Sequence, residues 1–302
     1  MKLGIAVVYL VQPEDEAWFD LHLRHIERFT DVPYTIYAGV NRLLPQFRRK
    51  LEQHPLVKIC NCPPTELRGG REHAHYLEHL TRFAIEDGVS HVATLHVDSF
   101  PIRVGWAQAL ADRLTVKCAF DCLEGINTAC ILFSRDFYLN FHPTYHVSAE
   151  EYASPLFKEY VEAAHPGRHS GIGYGFTAYR HGLSWYSLPA VAVDPHGVGS
   201  IYDDLIYHLG GLVRLSIPSQ VADASLRSRF SFYLARLLKM AKSAVPRSIR
   251  QRLPLAVRAP YGDWYSAHIL ARAKREAIAD FDAYLSDLRR RMAPLPAPSP
   301  AR

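Results

Sequence analysis

One carboxylate in this sequence stands where a divalent cation could be bound. Residues 91–97 alternate in the manner of a buried strand, and Asp98 follows them directly. Because α/β sheets carry their ligand chemistry at the carboxyl ends of strands, Asp98 is placed to hold Mg²⁺ or Mn²⁺ against a diphosphate. His96 is expected on the same side of the strand and is a ligand that manganese accepts. Asp98 could instead cap the helix predicted after Pro101.

A second group of polar residues surrounds a Gly-Gly pair that opens a predicted helix over residues 72–86. Glycines at such a position let backbone N–H groups approach a phosphate, and arginine pairs with phosphate oxygens bidentately. Arg68, Arg71 and His75 are therefore predicted to contact a bound nucleotide. The competing interpretation is that Gly-Gly forms only an ordinary turn.

The elements that would position these residues alternate between strand and helix. Strands are predicted over residues 3–11, 34–40, 56–60 and 91–97. Helices are predicted over 15–29, 41–53, 72–86 and 103–114, with Asn41 as the N-cap of the second. This alternation predicts an α/β fold with a mixed, mostly parallel sheet that is covered by helices on both faces.

Beyond residue 117 the predicted elements become shorter. Strands are expected over 118–122, 128–133 and 184–188, and helices over 150–164 and 171–182. We divide the chain into an α/β domain over residues 1–218, a basic helical extension over 219–292 and a disordered tail over 293–302.

The net charge of +5 over 302 residues is concentrated in the extension. Residues 225–244 mix Arg and Lys with Phe, Leu and Met, a pattern typical of a basic helix on an anionic membrane surface. We therefore predict such a contact over residues 225–258; an ordinary packed helix with a charged outer face is the alternative. Nucleic acid is not expected as a partner, because stacking aromatics are not interleaved with the basic residues.

The five cysteines are odd in number and have no zinc-site spacing, so we expect reduced, buried thiols. No segment of the sequence approaches the roughly 18 apolar residues of a membrane span. The apolar first eleven residues are interpreted as a strand and not as a signal peptide, since no cleavage site follows. The expected location is cytoplasmic, with peripheral attachment to the inner membrane face.

The residues around Asp98 resemble the metal-binding corner of nucleotide-sugar glycosyltransferases with the GT-A fold. In that family a D-x-D motif is followed by an aromatic residue, a proline and a tryptophan that begins the next helix. Asp98, Phe100, Pro101 and Trp106 match this pattern, and His96 replaces the first carboxylate. The resemblance implies a GT-A (Rossmann-like) fold, a Mn²⁺ or Mg²⁺ cofactor held by Asp98, and cofactor contacts from both His96 and Asp98.

The same resemblance implies a second metal ligand. Many GT-A enzymes close the metal site with a histidine towards the carboxyl end of the domain. His208, which is followed by Gly210 and Gly211, is similar to that residue, and His196 is the competing candidate. The glycines would give the segment a flexible turn.

Two residues are predicted as catalytic. An inverting sugar transfer needs a carboxylate that takes the proton of the acceptor hydroxyl. Glu124 is the candidate in the loop over 123–127, with Asp121 and Asp136 as alternatives. His169 stands where related proteins have an aspartate before a glycine-rich helix, and it is predicted to be the base or an acceptor contact.

The resemblance implies transfer of a sugar from a nucleoside diphosphate-sugar to a hydroxyl of a saccharide or lipid-linked acceptor, in bacterial cell-surface polysaccharide synthesis. One alternative is a catalytically decayed GT-A-like protein that binds saccharides or partners. A sugar-nucleotide pyrophosphorylase is disfavoured, because the loop over residues 12–16 is acidic where a phosphate-binding loop would be expected.

Overall fold

The first half of the chain alternates strands and helices in the predicted order. The computed structural model describes residues 1–11, 13–67, 69–166, 170–194, 198–209 and 273–291. The first four strands are β1 (Leu3–Val8), β2 (Tyr34–Gly39), β3 (Val57–Cys60) and β4 (His91–Leu95). The helices between them are α1 (Glu16–Phe29), α2 (Pro45–Glu52) and α3 (Gly70–Glu86), and a short 3₁₀ turn, Pro13–Asp15, precedes α1.

The second half adds a hairpin, helices and one further strand to the same sheet. The strands are β6 (Cys118–Leu123), β7 (Asn127–Ser134) and β8 (Ser184–Leu188). The helices are α4 (Trp106–Ala111), α5 (Arg135–Phe141), α6 (Ala149–Ala153), α7 (Pro155–Ala164) and α8 (Ile172–Arg180).

The seven strands lie in the order β3-β2-β1-β4-β7-β6-β8. The pairs β1–β2, β2–β3, β1–β4 and β6–β8 are parallel, whereas β7 runs antiparallel to both of its neighbours. The predicted mixed, mostly parallel sheet is confirmed. The chain moves outward from β1 to β3 and then returns to β4 on the other side of β1. In open α/β sheets this reversal leaves a ligand crevice at the carboxyl ends of the strands.

A second, four-stranded antiparallel sheet lies beside this crevice. Its order is β5 (Ser99–Pro101), β11 (Ile206–His208), β10 (Ser200–Tyr202) and β9 (Ala190–Val193). The sequence analysis predicted none of these strands, because segments of three or four residues carry too little alternation to be recognised.

Two hydrophobic clusters cover the two faces of the large sheet. Leu3, Ile5 and Val7 of β1 pack into one cluster with α1 and α2, whereas Ala6 belongs to the other with α3. This division follows from the two-residue period of a strand. The helix α9 (Phe281–Arg290) buries one face in the first cluster, so the described part of the predicted extension shares the core of the α/β domain.

Several local predictions were wrong in their boundaries; β1 ends at Val8 and not at residue 11, and α4 covers Trp106–Ala111 and not 103–114. Helix α2 begins at Pro45, and Asn41 does not cap it but donates from Nδ2 to the carbonyl oxygen of Cys62 at 2.8 Å. The helix predicted over 150–164 is divided at Ser154, whose hydroxyl caps the second half while Pro155 provides no N–H to continue the first. Strand β4 ends at Leu95, so Asp98 lies in the turn after it. The five cysteines are free and buried, as expected.

Candidate metal centre

The turn between β4 and β5 holds Asp98 in a fixed backbone position. The backbone N–H of His96 donates to Ser99 Oγ at 2.8 Å, and Ser99 Oγ donates to the carbonyl oxygen of Ala129 on β7. On the other side, the N–H of Leu209 donates to the carbonyl oxygen of Asp98 at 2.8 Å. Asp98 itself is 5% exposed. Hydrogen bonds that involve three separate segments therefore hold the backbone around Asp98.

Two buried histidines of α1 support the strand that follows Asp98. His22 Nδ1 lies 3.1 Å from the carbonyl oxygen of Ser99, and His25 Nδ1 lies 3.0 Å from that of Pro101. Since a carbonyl only accepts, each ring nitrogen must donate. Burial lowers the pKa of both histidines to about 4, so both rings are neutral at pH 7. They hold β5 without adding positive charge beside Asp98.

His208 reaches Asp98 through strand pairing. Strands β11 and β5 are antiparallel, and His208 stands opposite Ser99. His208 Nε2 lies 3.8 Å from Asp98 Oδ1, and His96 Nδ1 lies 3.8 Å from the same oxygen. The three ligand atoms all lie within 4.8 Å of one another. Atoms that share one ion at about 2.2 Å lie about 3–4.4 Å apart, and both 3.8 Å separations from Asp98 Oδ1 lie within this range.

A chain of polar side chains orients His96. His96 Nε2 lies 3.0 Å from Thr128 Oγ1, which leaves Nδ1 directed at Asp98. Thr128 Oγ1 is 2.7 Å from Ser170 Oγ, and Ser170 Oγ is 3.5 Å from His73 Nδ1. The ring of His73 meets the ring of His96 edge to face, with centroids 4.8 Å apart. Burial lowers the pKa of His73 to about 4, so this neighbour is also neutral.

The predicted nucleotide contacts on α3 do not join this cluster. Arg71 is exposed in the first turn of α3. His75 Nε2 lies 3.1 Å from the carbonyl oxygen of Pro63, and its ring packs against Tyr76. Positions two residues apart on a helix point to different sides, so His73 faces the cluster and His75 does not. Arg68, His169 and the competing ligand His196 lie outside the described residues.

Glu124 lies near Tyr202 of the small sheet. It is exposed in the turn between β6 and β7, next to Gly125 and Ile126, both of which have positive φ. Burial, and then the charge of Glu124, raise the pKa of Tyr202. The ring centroid of Tyr202 is 6.4 Å from that of His208.

The two alternative carboxylates have other surroundings. Asp136 is exposed on α5. Asp121 is fully buried, and Arg113 Nη1 lies 3.4 Å from its Oδ2. Burial raises the pKa of Asp121 to about 7, although the charge of Arg113 opposes this shift.

A cavity of about 250 Å³ lies at the carboxyl ends of β2 and β3. Its lining residues are Asn41, Arg42, Pro64, Thr65, Glu72 and Tyr76. Arg42 Nη1 pairs with Glu72 Oε2 at 3.0 Å, and the Glu72 side chain is only 9% exposed. The cavity therefore presents both a cation and a carboxylate at the same edge of the sheet as the metal cluster.

Sequence reasoning missed three of the side chains around the cluster: His73, Thr128 and Ser170. His73 follows the Gly-Gly pair that was considered for nucleotide binding. Its separation from His96 along the sequence hides their contact. Thr128 could have been noticed as a polar residue near the start of an apolar strand.

Comparisons with known proteins identify no family from the sequence. No family model matches the chain, and no curated protein matches it. Among solved structures, S. aureus TarS matches with a TM-score of 0.40 and 13% identity, over 96% of this chain and 92% of that chain. The mannosyltransferase PcManGT from Pyrobaculum calidifontis, in complex with GDP-Man and Mn²⁺, matches with a TM-score of 0.37 and 13% identity, over 96% and 84%.

Mouse xyloside xylosyltransferase 1 matches with a TM-score of 0.36 and 8% identity, over 62% of this chain and 85% of that chain. The xylosyltransferase and the mannosyltransferase are glycosyltransferases by name. Within the described ranges, no helix is long and apolar enough to cross a bilayer.

Proposed function

We propose that the chain is a metal-dependent glycosyltransferase that moves a sugar from a nucleoside diphosphate-sugar to a hydroxyl of a saccharide or lipid-linked acceptor. The observation that carries the proposal is the convergence of His96, Asp98 and His208 at the carboxyl edge of the sheet. His208 and Asp98 are 110 positions apart in the sequence, yet strand pairing brings them to 3.8 Å. A complete ligand set also favours an enzyme over a decayed binding protein.

The donor atoms favour manganese over magnesium. Two imidazole nitrogens and one carboxylate oxygen suit a first-row transition metal, whereas magnesium prefers oxygen ligands and retains its water. A cation bound to these residues would stabilise the negative charge that develops on the departing diphosphate. The protein's own contribution is orientation: Thr128 fixes the ring of His96, and the pairing of β5 with β11 fixes His208.

The crevice has room for the rest of the donor. The metal cluster lies after β4, and the cavity lined by Arg42 and Glu72 lies after β2 and β3. A nucleotide that lies along this edge would place its diphosphate at the cluster and its base in the cavity. The carboxylate of Glu72 and the guanidinium of Arg42 offer an acceptor and donors to the polar edge of a base.

Glu124 remains our proposed base, together with His169. The exposure of Glu124 beside Tyr202 leaves it accessible to an acceptor hydroxyl that approaches from the side of the small sheet. We further propose that the acceptor belongs to a bacterial cell-surface polysaccharide. Cytoplasmic location and membrane contact through residues 225–258, a segment outside the described residues, are part of this proposal.

Donor hydrolysis tests the proposed function. Native chain is incubated with a panel of UDP-, GDP- and dTDP-sugars, with Mn²⁺, with Mg²⁺ or with EDTA, and release of the nucleoside diphosphate is measured. We expect release with at least one donor, faster with Mn²⁺ than with Mg²⁺, and none with EDTA. Asp98→Asn should abolish release, whereas the matched control Asp31→Asn, exposed between α1 and β2, should not change it. Release that is unaffected by EDTA and by Asp98→Asn would refute the proposal.

A further inference from the structure

A buried lysine from the carboxyl-terminal part of the chain pairs with an aspartate in the turn after β1. Lys274 belongs to a helical stretch over residues 273–279 and is 6% exposed. Its Nζ lies 3.8 Å from Oδ1 of Asp15, which is itself 4% exposed. Lysine is among the residues least often buried, so its position needs an explanation.

The surroundings place Lys274 on the same side of the molecule as the metal cluster. Asp15 ends the 3₁₀ turn after β1, which is the strand next to β4. Trp18, one turn into α1, stacks on Tyr207, the neighbour of His208, with an interplanar angle of 3°. Phe281 of α9 packs edge to face on Trp18 and on Tyr207. The helical segments around Lys274 are thus fixed to the aromatic residues behind the metal ligands.

The electrostatic environment links Lys274 to Asp98. Burial lowers the pKa of Lys274, and the charges of Asp15 and then Asp98 oppose this effect. Within the described residues, Asp15 is the carboxylate that pairs with Lys274 Nζ, at 3.8 Å. An ammonium group has three N–H donors, so this pair leaves Lys274 able to bond to a further anion.

The formal charges in the crevice are complementary to a metal-bound diphosphate. Asp15, Asp98 and Lys274 together carry one net negative charge. A divalent cation at Asp98 converts this to one net positive charge, which attracts an anionic diphosphate. Without the lysine the same site would be neutral. In the acidic loop after β1, Lys274 thus offsets the charge of Asp15.

We propose that Lys274 is a donor-binding residue whose ammonium contacts the diphosphate, and that the segment over residues 273–291 forms part of the active site. This inference rests on the proposed function, in that it assumes a metal-bound diphosphate at Asp98. A contact of this kind is a charge-assisted hydrogen bond, whose loss weakens binding by about 10- to 100-fold.

The test measures binding of inorganic pyrophosphate in the presence of Mn²⁺ by isothermal titration calorimetry, with UDP and GDP as further probes. The full chain is compared as native protein, Lys274→Met, Asp15→Asn and Lys117→Met. Lys117 is exposed just before β6, at the opposite edge of the sheet, and serves as a matched control. Circular dichroism and thermal melting confirm that each variant is folded.

We expect Lys274→Met to weaken pyrophosphate binding at least about tenfold, and Asp15→Asn to strengthen it, because the lysine loses its competing anion. Lys274→Met should bind Mn²⁺ alone at least as tightly as the native chain, since a positive charge near Asp98 has been removed.

Two outcomes would overturn the inference. If the ion pair is purely structural, both Lys274→Met and Asp15→Asn weaken pyrophosphate binding. Unchanged pyrophosphate binding in Lys274→Met would also contradict it. Native chain that binds Mn²⁺-pyrophosphate but neither UDP nor GDP would refute the nucleotide donor and leave the role of Lys274 intact. If the native chain binds none of pyrophosphate, UDP and GDP in the presence of Mn²⁺, both the proposed function and the role of Lys274 are refuted.

Discussion

Two buried aspartates of this protein show how the partner of a carboxylate decides its use. Asp98 is 5% exposed and Asp121 is 0% exposed. The side chains that converge on Asp98 are the rings of His96 and His208, each 3.8 Å from Oδ1. Asp121 instead faces the guanidinium of Arg113 at 3.4 Å. At Asp98, the 3.8 Å separations leave space for a cation between the carboxylate and the two ring nitrogens. At Asp121, the guanidinium of Arg113 already occupies the corresponding position.

The Arg113 cluster stabilises the fold. Arg113 also pairs with Asp203, in the turn between β10 and β11, and lies 4.5 Å from the centre of the Tyr186 ring. It thereby connects the large sheet to the small one that carries His208. Among the described residues, Oδ1 of Asp121 has no hydrogen-bond partner, so this carboxylate relies on Arg113 for its compensation.

The largest expected difference between the two aspartates is in metal affinity. Asp98→Asn removes the anionic ligand and should weaken Mn²⁺ binding by at least about 100-fold, since even outer residues of a metal site affect affinity by 10- to 100-fold. Asp121→Asn should leave it within about threefold. Calorimetric titration of both folded variants with Mn²⁺ measures this. Equal losses in the two variants would remove the distinction on which the comparison rests.

The next effect is on stability, and it concerns the other aspartate. Arg113→Met leaves Asp121 buried without its cation and should lower the free energy of unfolding by about 3 kcal/mol. Urea denaturation at pH 7.5 provides the measurement. Adding Asp121→Asn to this variant should restore part of the loss, because the unpaired charge is then gone. An Arg113→Met variant of native stability that no longer bound Mn²⁺ would place Arg113 in the metal site instead.

The pH dependence should distinguish the two regions as well. The pKa of His25 is lowered by burial to about 4, from 6.5. Below pH 6.5, His25 is protonated in the unfolded chain but stays neutral in the folded chain. The contribution of His25 to the free energy of unfolding is therefore complete above pH 6.5 and is lost as the pH falls towards 4. The effect of pH on stability through Asp121 has the opposite sign, because the raised pKa of Asp121 makes folding less favourable as the pH rises towards 7.

Comparison with His25→Gln isolates the histidine, because the Asp121 effect is common to both proteins. Between pH 7.5 and pH 5, the native chain should lose about 2 kcal/mol more of its unfolding free energy than His25→Gln does. Urea denaturation across this range measures the difference. Parallel pH profiles would show that His25 does not remain neutral in the folded protein.

The smallest expected effect concerns the orientation of His96. Thr128→Val keeps the shape of the side chain and removes the hydroxyl that lies 3.0 Å from His96 Nε2. Mn²⁺ affinity should fall by about tenfold, as for other residues that orient a metal-bound histidine. Thr115→Val, exposed before β6, is the control that should not change it. Unchanged affinity in Thr128→Val would show that His96 is held by other contacts.

Sequence reasoning recovered the parts of the fold that have a clear period. The alternation of strand and helix up to residue 114 predicted the parallel half of the sheet, and the position of Asp98 after a buried strand indicated a ligand site. The histidine that meets Asp98 was found by resemblance, because the pairing of β5 with β11 involves only three residues on each strand. Local propensity carries little information about so short a ladder.

Other site residues depended on tertiary packing. Helical periodicity placed a helix over 72–86 but did not determine whether His73 or His75 faces the crevice. Lys274 reaches Asp15 from the other end of the chain, and no spacing rule connects two residues so far apart. Both contacts follow from how helices pack on the sheet, which the order of residue types along one segment does not specify.

The most direct test of the account is a crystal of the protein grown with Mn²⁺ and a nucleoside diphosphate, with diffraction measured at the manganese absorption edge. We predict one strong anomalous peak within about 2.5 Å of Asp98 Oδ1, His96 Nδ1 and His208 Nε2, with phosphate oxygens completing the coordination. Data that show the nucleotide bound with no anomalous peak at Asp98, or with manganese at another site, would contradict the central claim.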